Sequence, residues 1–183
     1  MHPVLMHPVP DADEARDNAT FAAILAALSR PGSVQSLPGP GAAAIALALI
    51  DRECRVWAED PVLLAVLRRT GARIAPHDEA GHVFVSLADA EGIARMAGLA
   101  PGSPLYPDEG ATVITAATFG TGQPLRLSGP GIDGQMTVAL SGLHPAVWAT
   151  RAGLCRYPFG IEMLLIDGTR LMALPRSTLI EVR

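Results

Sequence analysis

GATVITAATFGTGQPLRLSGPGI, residues 110–132, and YPFGIEMLLIDGTRLMALPRSTLIEV, residues 157–182, decide the fold. Each alternates or runs apolar residues between Gly, Pro and Asp breaks, the pattern of neighbouring strands joined by tight turns. Thr112 to Thr118, Gln123 to Ser128, Met136 to Leu140, Glu162 to Ile166 and Arg170 to Leu174 read as strands. Asp167-Gly168-Thr169 between the last two is a hairpin signal.

Upstream, helix and strand alternate. Phe21, Ile24, Leu25 and Leu28 fall at i, i+3, i+4 and i+7, one stripe of a helix. Asp11 or Asp13 can cap its start, Glu14 suits the first turn, and Pro31-Gly32 stops it. A strand at Ser33 to Leu37, a buried helix at Ala42 to Ile50 and a strand at Cys54 to Ala58 follow. A helix opened by Pro61 runs to Arg69; Val83 to Ser86 is a strand and Asp89 to Ala97 a helix. Ala100 to Gly110 is a proline-rich loop suited to contact, and Pro145 to Leu154 is helical. The MHPVLMHPV duplication has no structural period behind it, so residues 1–10 read as an extended arm. The expectation is one α/β domain over residues 1–183, with a mixed sheet and helices on both of its faces.

Composition narrows function by exclusion. At 183 residues, the chain can remove roughly 70% of its unfolded surface from water on folding. Only 17% of residues are charged and 4% aromatic, so Ala, Leu, Val and Ile must fill the core. A net charge of −4 offers no basic field for nucleic acid. The apolar run Gly41 to Ile50 is too short for a membrane span, and Met1 to Val9 lacks the features of a secretory signal. A cytoplasmic protein is expected.

All 14 basic residues are arginines. Without lysine, neither a pyridoxal phosphate Schiff base nor a Walker A loop can form. Guanidiniums pair carboxylates and phosphates in bidentate fashion, although GC-rich coding is the plain explanation of the bias. Cys54 and Cys155 lack metal or redox spacing. His77 and His82 flank Asp78 and Glu79, but their spacing fits no zinc motif; a solvated turn is the simpler reading, and no metal is expected. No nucleophile elbow is present, and no catalytic residue can be named.

Gly129-Pro130-Gly131-Ile132-Asp133-Gly134 matches the dinucleotide fingerprint in letters alone. A strand follows where that motif needs a helix, Pro130 has no N–H to give, and Asp133 repels phosphate. It reads as a turn between strands. The ligand or interface candidates are Arg30, at the end of the first helix, Arg126 within a strand and Arg176 at a strand end, with the turn glycines Gly129 and Gly131.

The two C-terminal blocks, together with the Leu28-SRPG-Gly32 helix ending, resemble the H-subunit family of the bacterial phosphonate carbon–phosphorus lyase core complex. That resemblance implies a three-layer α/β/α sandwich similar to the large domain of pyridoxal phosphate transferases, without that cofactor or any other. It implies a cytoplasmic subunit, a homodimer when isolated, that docks with the G, I and J subunits. It implies participation in making α-D-ribose 1-methylphosphonate 5-triphosphate from ATP and methylphosphonate, as an accessory chain. At Glu162 this chain departs from the aspartate expected of the family. Two rivals remain open: a phosphoribosyl- or nucleotide-binding enzyme acting in its own right, and a homodimeric scaffold unrelated to phosphonates.

Overall fold

The computed structural model describes residues 9–183. The expected arm at residues 1–10 lies almost wholly outside the described residues.

A seven-stranded mixed sheet forms the centre. Its strands are β1 (Val34–Ser36), β2 (Arg55–Ala58), β3 (Arg73–Ile74), β4 (His82–Phe84), β5 (Thr112–Ala116), β8 (Glu162–Asp167) and β9 (Arg170–Leu174), in the order β1-β9-β8-β5-β4-β2-β3. β3, β2, β4, β5 and β8 run parallel; β9 pairs antiparallel with both β8 and β1, so it alone opposes the direction of the other strands in this sheet. The hairpin forms where the Asp-Gly signal puts it, with Asp167 opposite Arg170. β6 (Thr118–Ser128), β7 (Met136–Ser141) and β10 (Leu179–Val182) make a second, antiparallel sheet in the order β10-β6-β7.

Alternation along the strands sorts the core. Met163 and Leu165 of β8 face one side, with Val83 and Val113. Leu164, Ile166, Phe84 and Ile114 face the other. The second face is covered by α1 (Ala12–Ser29), α2 (Gly41–Leu49) and α3 (Pro61–Arg69), through Ile24, Ile45 and Leu67. The first is covered by α4 (Ala90–Ala97) and α5 (Val147–Leu154), through Met96 and Trp148. The small sheet joins that layer through Leu125, Leu127 and Leu140. One outer layer is therefore part helix and part sheet, a refinement of the α/β/α expectation.

Local chemistry explains the helix ends. Asp11 accepts from the Asp13 and Glu14 amides at 2.9 and 2.8 Å while Glu14 reaches back to the Asp11 amide, a complete capping box. Asp60 and Asp89 cap α3 and α4 through Val62 N–H and Gly92 N–H.

Several expectations need correction. Thr20, Ile24 and Ala27 form the buried stripe of α1, while Phe21 and Leu25 are 45% and 52% exposed. The alanines flanking both stripes make the two faces almost equally apolar, and packing on α2 and β9 selects one of them. β6 starts at Thr118, five residues earlier than expected, because a bulge lets Phe119 and Gln123 both face Leu140. His82 begins β4 and does not sit in a solvated turn. α5 starts at Val147, after Pro145. β3 and β10 were not separable from their surroundings in the sequence.

Candidate functional site

The glycine turn joins β6 to β7 and no helix follows it, in agreement with the strand-to-strand reading. It fills a gap between two other segments. Gly131 has φ +82°, and a Cβ there would collide with the Ser29 carbonyl and stand 2.8 Å from Pro31 Cδ. A Cβ on Gly129 would stand 2.8 Å from the Ser177 carbonyl. The turn thus touches the end of α1, where Arg30 is exposed, and the 175–178 loop, which begins one residue before Arg176. Four of the five candidates, Arg30, Gly129, Gly131 and Arg176, meet in this neighbourhood. Arg126 lies apart, bonded across the small sheet to Glu181, with Nε at 3.1 Å.

Arg176 has its own partners. Its backbone N–H donates to Glu162 Oε2 at 2.8 Å, its Nε lies 3.1 Å from Oε1, and its Nη1 donates to the Pro107 carbonyl. One arginine therefore ties the start of β8, the end of β9 and the 100–110 loop together. The extra methylene of Glu162 supplies the reach to bond backbone and side chain at once. A second tie comes from Gly160, whose N–H donates to Pro101 O at 2.8 Å.

These ties hold two apolar tips out in water. Leu105 is 83% exposed with Tyr106 beside it, and Tyr157, before the cis Pro158, is 92% exposed. Both belong to loops that enter parallel strands, so they project from the amino edge of the sheet.

The sequence reading missed Arg151. It is 4% exposed, and it donates through Nη1 to Thr178 O at 3.1 Å and through Nη2 to Pro175 O. Burial depresses its pKa, and among the described residues it makes no salt bridge. A signal was present: Arg151 follows the buried Val147 by four residues and so sits on the inward face of α5. Elsewhere, burial lowers the His82 pKa below 6.5 and raises that of Cys54. His77 packs edge-on to Trp57 at 5.9 Å between ring centres, and Arg95 covers that indole at 5.4 Å. Among the described residues, no three His, Cys, Asp or Glu side chains gather as metal ligands.

At the opposite, carboxyl edge of the sheet lies a cavity of about 490 Å³. Leu63, Phe84, Ile114 and Ile166 supply its apolar lining, with Glu59 and Asp60 on one side. None of the five candidate residues lines it.

Fold and site together define an α/β sandwich in which Arg151 and Arg176 hold the protein's own loops and apolar tips face outward. The bacterial phosphonate metabolism protein family PhnH matches residues 11–181, and the chain belongs to that family. It is 33% identical to HtxG of Stutzerimonas stutzeri, a protein described as a C–P lyase subunit, over 92% of this chain and 87% of that one. It is 27% identical, over 89% of each chain, to the α-D-ribose 1-methylphosphonate 5-triphosphate synthase subunit PhnH of Rhizobium meliloti (strain 1021).

Proposed function

We propose that this chain is an accessory subunit of a carbon–phosphorus lyase core complex in phosphonate catabolism. The complex would displace adenine from ATP with methylphosphonate, forming α-D-ribose 1-methylphosphonate 5-triphosphate. The observation that supports this most is the PhnH match over residues 11–181, reinforced by relatives that align along most of their length.

The chain works as one domain in the cytoplasm and contributes surface to the transferase, with no chemistry of its own. Its partners are the G, I and J subunits, and it forms a homodimer when isolated. Its fold is akin to the large domain of pyridoxal phosphate transferases, but without a lysine it cannot form the Schiff base that defines them. No described helix is long and apolar enough to cross a membrane.

The docking face is the amino edge of the sheet. Aromatic anchors already fixed in place lose little entropy on binding, and Leu105, Tyr106 and Tyr157 stand on backbone held by Arg176 and Gly160. Co-expression with the G, I and J subunits followed by affinity capture tests the reading. The parent chain is expected in a stable complex, and Leu105→Asp combined with Tyr157→Asp is expected to drop out of it while remaining folded. A parent chain that never co-purifies would defeat the assembly role; a double variant that still assembles would move the interface elsewhere.

A further inference from the structure

The cavity at the carboxyl edge carries chemistry that an interface role leaves unused. We infer that it is a binding site for an unphosphorylated nucleoside.

Its position is the first reason. From β2 the chain crosses through α3 to β3 on one side, then returns to β4 on the other side of β2 and proceeds through α4 to β5. α3 packs on one face of the sheet and α4 on the other. The strand order therefore reverses between β2 and β4, and open α/β sheets bind ligands in the crevice outside the carboxyl ends of strands at such a reversal. Glu59 and Asp60 follow β2 directly, Ser86 closely follows β4, and all three line the cavity. Its volume, about 490 Å³, falls within the range of small-molecule sites.

The lining selects the ligand. Leu63, Phe84, Ile114 and Ile166 form an apolar bed for a flat base. Asp60 Oδ1 accepts from Val62 N–H at 2.8 Å, and Oδ2 has no protein donor among the described residues. Glu59 accepts from Ser86 N–H at 2.9 Å and from Arg95 at 3.2 Å, and each of its oxygens keeps a second lone pair. Carboxylates at the end of a strand in this class of sheet accept from ribose hydroxyls. No basic side chain lines the cavity, and Arg95, which bonds Glu59, is held between Glu59 and Glu91. A phosphate on the sugar would face two carboxylates with no guanidinium in the lining free to pair it, so nucleotides are disfavoured.

The test uses the full chain alone, so it does not depend on whether the complex assembles. Adenosine, AMP and ATP are titrated by calorimetry, and ¹H–¹⁵N spectra locate the site. Adenosine is expected to bind saturably and to move the amides of Gly41, Ser86 and Gly168. AMP should bind about tenfold more weakly or worse, because its phosphate meets like charge. Asp60→Asn retains a good helix cap and removes the charge. It should weaken adenosine about fivefold and shrink the AMP penalty, with the melting temperature as the folding control. Absence of saturable adenosine binding at millimolar concentration would overturn the site, including the case where a protein partner is its real occupant. AMP or ATP binding as tightly as adenosine, or shifts confined to other residues, would overturn it equally.

Discussion

Glu162 gives the sharpest test of how the docking face is held. Replacing it with Ala removes the acceptor of the Arg176 backbone N–H at 2.8 Å and the ion pair to Arg176 Nε at 3.1 Å. A hydrogen bond to a charged acceptor contributes about 1.5–3 kcal/mol. The ion pair, with side chains 27% and 21% exposed, is partly screened and adds at most about 1 kcal/mol. The expected loss is therefore about 2–4 kcal/mol, a large share of a typical domain stability of about 5–15 kcal/mol. With a urea dependence of about 2 kcal/mol per molar, the unfolding midpoint should fall by about 1–2 M. Glu162→Gln keeps a neutral acceptor and should lose about half as much. Because Arg176 also holds Pro107, Glu162→Ala should speed amide exchange across residues 101–110 more than in α2 or α3. A midpoint within about 0.3 M of the parent, with unchanged exchange in that loop, would refute the claim that Glu162 organises this edge.

Gly131→Ala should cost about 2–4 kcal/mol, since it adds a collision with Ser29 to a left-handed backbone, whereas Gly134→Ala has open space around it and should cost about 1–2 kcal/mol; equal losses in urea titration would contradict the close packing of the turn on α1. Burial lowers the His82 pKa in the folded protein, so the unfolded chain takes up its proton first as the pH falls through 6.5. Stability from this group is complete above that value and declines below it toward the depressed folded pKa. His82→Asn should flatten that part of the pH profile, and a parent with no such slope between pH 7 and 5.5 would remove the argument. Arg126→Ala should shift stability by less than about 1 kcal/mol in urea, because its pair with Glu181 is substantially solvated.

Legibility followed the range of the interactions. The first helix cap, the Asp-Gly hairpin and the failure of the glycine fingerprint are local chemistry, decided within a few residues of Asp11, Gly168 and Pro130. The face of α1 was not legible, because a helix so rich in alanine has nearly equal apolar stripes and only its partners break the tie. Arg151 could have been suspected from its place on the inward stripe of α5, but not that its donors end on Pro175 and Thr178. The candidate arginines were reasonable by residue type. Glu162 and Glu181, which engage two of them, lie 14 and 55 residues away in sequence.

The order of residues alone determined an α/β protein without lysine, with its turns, caps and most strands in place, since these depend on neighbours along the chain. Only the folded arrangement decided that β6, β7 and β10 leave the main sheet to cover one of its faces. It likewise decided that Arg176 braces a loop and that a cavity opens where the strand order reverses. Those outcomes come from contacts between segments far apart in sequence, where burial and shape choose among partners that local patterns leave equivalent.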